Sequence, residues 1–156
     1  QESYDVVREL LVHFRTRVEH ADLAGAVTSA LEKFEGQTGI KTSFRQRGGG
    51  APLEPEYVIQ LLHIIQEALS NVRKHAQATQ VDVEIEQNGE YRIVVTDNGR
   101  GFDPNPKPGV DEEHHVGLKI MKERAHRIGA QLTIASRQGE GTRVSLTLTK
   151  QPRGTA

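Results

Sequence analysis

The chain has 156 residues, 20 of them Lys or Arg and 21 Asp or Glu, for a formal net charge of −1. That balance excludes a global electrostatic case for nucleic acid or an anionic membrane surface. The absence of cysteine removes both a disulfide framework and a thiolate nucleophile, and no run approaches the roughly 18 apolar residues of a spanning helix. With 35% hydrophobic and 4% aromatic residues and no tryptophan, the core of this single-domain length falls to Leu, Ile, Val and Ala.

Residues 4–18 carry Val6, Val7, Leu10, Leu11, Phe14 and Val18, an amphipathic helix pattern. It is expected either to pack on the body or to be the stub of a longer helix whose partner is missing (residues 1–21). Opening on Gln1 rather than Met, the chain is read as a fragment of a longer protein. Asp22 is placed to cap a second helix with Leu23, Ala26, Val27, Ala30, Leu31 and Phe34 on one side. Gly36 and Gly39 punctuate its end. Residues 40–45 alternate weakly as a strand, and Gly48-Gly49-Gly50 reads as a flexible connection.

A third helix is expected from Pro55, which costs nothing in a first turn, to about Ala76. Leu61, Ile65, Leu69 and Val72 form its buried stripe. Glu67, Asn71, Lys74 and His75 stand at three- and four-residue steps on adjoining parts of another face. A carboxylate, an amide and cations so grouped suit a metal ion and its phosphates, although ordinary solvated helices carry similar residues. Val81, Val83 and Ile85 alternate with Asp82, Glu84 and Glu86 as a half-buried strand. Asn88-Gly89 signals a hairpin, and the return strand with Tyr91, Ile93 and Val95 runs into Asp97.

Between Gly99 and Val116 the periodicity dissolves amid prolines and the run Asp111-Glu112-Glu113-His114-His115, the composition of a loop. Glu113, His114 and His115 lack further ligands at zinc spacing. Gly117 precedes a helix with Leu118, Ile120, Met121, Ala125 and Ile128, ending at Gly129. Lys119, Lys122 and Arg124 on it are phosphate contacts or a solvated face. A strand with Leu132 and Ile134, a tight turn bracketed by Gly139 and Gly141, and a strand with Val144, Leu146 and Leu148 follow. The order predicts an α/β two-layer sandwich with helices over one face of a mixed sheet. The main folded unit is expected over 22–150 and a tail without support over 151–156.

Three glycine segments, Asp97-Asn98-Gly99-Arg100-Gly101-Phe102, Gly117-Leu118-Lys119-Ile120 and Gly139-Glu140-Gly141-Thr142, accompany the Glu67–Asn71 helix. In this order they resemble the ATP-binding (Bergerat-type) domain shared by sensor histidine kinases, Hsp90-type chaperones, type II topoisomerases and MutL-type repair proteins. No P-loop or dinucleotide fingerprint competes. Residues 67–76, residues 117–125 and the front segment Arg8-Glu9-Leu10-Leu11-Val12-His13-Phe14-Arg15 look like bacterial two-component kinases of the nitrate/nitrite-sensor type. The likeness covers about residues 4–149.

The resemblance implies ATP and Mg²⁺ as ligands. It implies that Asn71 coordinates the metal, that Glu67 orients metal-bound water or nearby groups, and that Lys74 and His75 lie on the phosphate side. Asp97 would accept from the adenine amine, with Thr142 a water-mediated contact near the base. Gly99 and Gly101 would shape the pocket mouth, Gly117 and Leu118 would open a helix with amides near the phosphates, and residues 102–116 would form a lid. The implied reaction transfers the γ-phosphoryl group to a histidine on an upstream dimerisation domain, for relay to a response regulator. The parent would be a homodimer with this domain in the cytoplasm, under an inner-membrane sensor, without nucleic-acid or membrane contact by this piece. Neither His13 nor His20 sits in the family's acceptor motif, so no autophosphorylation in isolation is expected. A water-directed ATPase of the same fold, an anti-sigma-type serine kinase and a degenerate nucleotide- or protein-binding module are the alternatives.

Overall fold

The computed structural model describes residues 22–49, 53–103, 107–110 and 112–149. The front segment 1–21, the tail 151–156 and parts of the expected lid (104–106 and 111) lie outside them. In chain order the elements are α1 (Leu23–Thr38), β1 (Lys41–Gly48), α2 (Pro55–Asn71), a π turn (Val72–Ala76), β2 (Gln80–Asn88), β3 (Glu90–Asp97), α3 (Glu112–Arg127), β4 (Ala130–Arg137) and β5 (Gly141–Leu148). The strands form one sheet in the order β1-β2-β3-β5-β4. β1 and β2 are parallel and every other pair is antiparallel, as α2 must cross over to join two parallel strands. The expected mixed sheet under a helical layer is present.

Leu23, Val27, Leu31 and Phe34 bury one side of α1. Gly36 lies inside that helix rather than at its end; the stop is Gly39, whose φ of 78° lets its N–H reach the Glu35 carbonyl at 2.8 Å. The Glu35 carboxylate accepts from the backbone N–H and hydroxyl of Thr42, at 3.0 and 2.9 Å, tying α1 to β1. These bonds hold its pKa below the usual value. β1 runs three residues beyond the predicted strand, to Gly48, because all eight of its residues have a partner on β2.

Strand register explains the core. Two rows run across the sheet on its helix-covered side: Phe44, Val83, Val95, Val144, Ile134, and then Gln46, Ile85, Ile93, Leu146, Leu132. Val83, Ile85, Ile93, Val95, Val144 and Leu146 are buried in one cluster with Leu61, Ile65 and Leu69 of α2 and Met121 and Ala125 of α3. On the other side Ser43 donates to Asp82, and Arg45 and Arg47 each lie 3.8 Å from Glu84. Such exposed pairs contribute little.

α3 starts at Glu112, five residues before its predicted first residue, so 112–116 belong to a helix and not to a lid loop. Glu112 and Glu113 occupy its first turn, where acidic groups face the positive end of the helix dipole. The buried side of His114 supplies an apolar contact that a composition-based reading overlooks. Gly117 is therefore interior to α3, and its N–H is not among the four that a helix start leaves free. The expected role of Gly117 and Leu118 as the opening of the helix is corrected accordingly.

Leu61 is fully buried, so Leu61→Ala should cost about 2–5 kcal/mol. Arg47→Ala on the solvated face should stay within about 0.5 kcal/mol. Urea unfolding midpoints of the two variants check the contrast.

Candidate functional site

A third core-facing row behaves differently from the two apolar ones. It reads Thr42, Val81, Asp97, Thr142, Ser136 across the sheet. At the end of the sheet the core side thus turns polar, under the C-terminal turns of α2. The cavity there is lined by Asn71, Val72, His75 and Ala76 from α2 and the π turn, and by Asp97, Gly101, Thr142 and Val144 from the sheet side. Phe102, His114, Leu118 and Met121 close it.

Asp97 is 7% exposed. Its Oδ1 accepts the Gly99 N–H at 2.8 Å. Burial pushes its carboxyl above the usual range, against the opposing pull of backbone N–H bonds from Gly99 and Thr142. A buried carboxylate with lone pairs to spare is suited to take a donor from a bound molecule. The neighbouring hydroxyls are organised: Ser136 Oγ lies 2.8 Å from Thr142 Oγ1 and 3.1 Å from the Gly141 carbonyl, and accepts the Phe102 N–H at 2.9 Å. Ser136 was not legible as a site residue from motifs. Counting strand register back from the Gly139–Gly141 turn would have found it opposite Thr142.

The loop leaving β3 gives each residue a distinct contact. Asn98 accepts at Oδ1 from the Thr79 and Gln80 N–H groups, at 2.9 and 3.0 Å, and donates to Thr79 Oγ1 at 2.9 Å. A Cβ at Gly99 would collide with the Ala76 carbonyl, and one at Gly101 with the Arg137 carbonyl. Both glycines are therefore required by close approach, one against the end of the π turn and the other against the β4–β5 turn.

Glu67 and Asn71 stand one turn apart on α2. A Cβ on Gly117 would lie 2.8 Å from Glu67 Oε2 and 3.1 Å from Asn71 Oδ1. Two hard oxygen donors thus meet at the spot where α3 passes closest. Among the described residues no three His, Cys, Asp or Glu side chains are grouped to hold a metal. A cation here would need ligand phosphates and water to complete its shell, the usual manner of Mg²⁺. The donor set fits that ion.

Of the predicted residues, Asn71, His75, Asp97, Gly101, Leu118 and Thr142 share the cavity wall. Glu67 and Gly117 meet beside Asn71, while Gly99 sits behind the loop. Lys74 is exposed on the π turn and outside that wall. Lys119 and Lys122 are exposed, and Arg124 donates to Gln60 Oε1 at 3.1 Å. The cavity itself is closed down. His114 stacks on His75 at 4.5 Å between ring centroids and meets the edge of Phe102 at 4.2 Å. About 30 Å³ remains, far below the roughly 300 Å³ or more of a small-molecule pocket.

Residues 56–152 match the family described as histidine kinase-, DNA gyrase B- and HSP90-like ATPase. The chain belongs to that family. It is 36% identical over 147 residues to the nitrate/nitrite sensor protein NarQ of Escherichia coli K12, covering 93% of this chain and 25% of that protein. It is 35% identical over 135 residues to the histidine-protein kinase/phosphatase DegS of Brevibacillus brevis, covering 86% of this chain and 34% of DegS. Relatives of different names thus stand equally near, and the chain spans about a quarter to a third of their length. In fold it resembles the histidine kinase domain of the Erythrobacter litoralis EL346 blue-light activated kinase (TM-score 0.61, 20% identity, 81% of this chain, 64% of that one). It also resembles the mycobacterial sensor histidine kinase MprB (TM-score 0.62, 20% identity, 81% and 93%). The Bergerat-type fold anticipated from the sequence is the fold of this family.

The raised pKa of Asp97 carries a stability signature. The folded state binds this proton more tightly than the unfolded state, so the associated stability is complete below the unfolded pKa and lost as pH rises through the folded one. Asp97→Asn keeps an acceptor for the Gly99 N–H and removes the buried charge. Its melting temperature should rise relative to the parent between about pH 4 and pH 7, and the gain should vanish at the acid end. A constant difference across that range would show that the charge is not the cause.

Proposed function

We propose that this chain is the ATP-binding catalytic domain of a sensor histidine kinase of the nitrate/nitrite-sensor type. The observation that carries the reading is the polar end row, which sets a buried carboxylate and an organised hydroxyl opposite Asn71 and His75. Asp97 accepts the adenine amine, which distinguishes adenine from a base with a carbonyl at that position. Thr142, fixed by Ser136, contacts the same end through water. Asn71 and Glu67 would hold Mg²⁺ through their oxygens, and that ion would supply neutralisation of phosphate charge. His75 on the cavity wall and Lys74, exposed on the same π turn, would lie on the phosphate side.

In this reading the residues align ATP and balance its charge, and the γ-phosphoryl group passes to a histidine nitrogen. Such transfer relies on positioning and electrostatics more than on covalent help from the protein. The acceptor belongs to a dimerisation domain in the remainder of the parent protein, and an aspartate of a response regulator receives the group next. Relatives at 35–36% identity carry sensor or histidine-kinase names, which favours a histidine acceptor over water or serine. Among the described residues no helix is long and apolar enough to cross a membrane. Placement beneath an inner-membrane sensor is the corresponding proposal for the parent.

Calorimetry with ATP, adenosine and GTP tests the binding step, and radiolabel transfer to a separately supplied acceptor-histidine domain tests the chemistry. ATP and adenosine should bind and GTP should not. Asn71→Ala should leave adenosine within about twofold while reducing transfer by at least about a hundredfold, the scale of losing a principal electrostatic contact. Undiminished transfer would remove Asn71 from the metal site.

The ring stack yields a separate expectation. About 30 Å³ is too little for a purine, so His114 and Phe102 have to give way. His114→Ala should raise adenosine affinity about threefold or more by enlarging the competent population. Weakened binding would mean that the ring is a ligand contact and not an obstruction.

A further inference from the structure

We infer that Arg100 is a positioning residue that caps the π turn and thereby sets the phosphate-side groups relative to Asp97. This rests on the nucleotide-site reading above. Arg100 stands between the two close-approach glycines of the loop, and motif comparison assigns it no role. Its side chain is exposed, so a solvated cation would be the simplest account. The contacts argue otherwise.

α2 does not finish as an α-helix. The five residues that follow it, Val72–Ala76, form a π turn, and Gln77 then leaves it in the left-handed conformation, with φ 53°. A helix that ends this way leaves carbonyls without intrahelical donors. Arg100 supplies two donors from 25 residues downstream. Its backbone N–H donates to the Ala76 carbonyl at 2.7 Å, and its Nε–H donates to the His75 carbonyl at 2.6 Å. A cation at a helix C-terminus is also favoured by the helix dipole.

The opposite side of Arg100 is held as well. Its own carbonyl accepts the Gly139 N–H at 2.5 Å. One residue therefore joins the π turn, the loop after Asp97 and the β4–β5 turn. The π turn carries Lys74 and His75, whereas the loop begins at Asp97 and the hairpin leads into Thr142. The Nε–H bond adds a side-chain tie to the packing of Gly99 on Ala76 and the His75–His114–Phe102 ring contacts, which join the same two halves. Arg100 thus acts on the distance between the two halves of the site, through backbone and not by touching nucleotide.

The test uses the full chain with Arg100→Ala and Arg100→Lys, each first checked for folding by its thermal melt. Hydrogen exchange of the nucleotide-free protein is followed at the amides of 77–80. Calorimetry is run with Mg-ATP and with adenosine. Arg100→Ala should speed exchange at those amides and weaken Mg-ATP about tenfold, the scale of losing a hydrogen bond from a charged donor. Adenosine should stay within about twofold. Arg100→Lys, which keeps a cation and a donor, should recover part of both effects.

Unchanged exchange together with weaker ATP binding would make Arg100 a direct phosphate ligand and overturn the positioning role. Equal weakening of ATP and adenosine would reduce it to general stability and overturn it too. If the parent chain binds neither ligand, the nucleotide-site reading fails and this inference falls with it. The exchange data would then still show whether the cap exists, so the two failures are distinguishable.

Discussion

Everything distinctive about this domain depends on breaking an apolar pattern at one end of the sheet. Two rows of branched residues make a conventional core under the helices. In the third row Asp97, Thr142 and Ser136 replace them. Burying a carboxylate without a full set of partners is costly, and the backbone donors from Gly99 and Thr142 offset only part of that cost. The charge persists as a standing demand for one more donor. A protein selected for stability alone would have placed Val or Leu there.

The loop 97–101 shows how closely the neighbouring elements must fit for that demand to be met in one place. Its glycines are pressed against two separate backbones, and the side chain of Asn98 substitutes for ladder partners at the start of β2. Such a loop has no freedom to wander, although it contains no regular secondary structure. Rigidity arises from backbone packing and hydrogen bonds on both sides.

Much of this was legible in the residues, for reasons that can be named. Period-two alternation around Val81–Ile85 and Tyr91–Val95 and the Asn88-Gly89 turn specify a hairpin through local rules. Those rules delivered Asp97 at a strand end. The apolar stripe of α2 likewise located the face bearing Glu67 and Asn71. What stayed hidden was tertiary. The start of α3 at Glu112 depends on His114 finding His75 and Phe102, which lie 12 or more positions away in sequence. Gly117, expected just ahead of a helix, lies within it, where the close approach of α2 makes a glycine fit. Ser136 carried no motif, and only strand register reveals it. The π turn had no sequence signal, since its residues are acceptable in an ordinary helix.

The packing of α3 has a consequence for how strongly this domain can hold any ligand. The same helix contributes Leu118, Met121 and Ala125 to the core and His114 to the closed cavity, so its first turns belong to two competing sets of neighbours. Whatever free energy favours the closed arrangement is subtracted from the intrinsic affinity of the open one. Anything elsewhere in a parent protein that pulls on the first turn of α3 therefore acts as a volume control on the site without reaching into it. Conversely, a ligand that took the space would have to displace His114 and the turn that carries it. Occupancy and outward shape become two readings of one equilibrium.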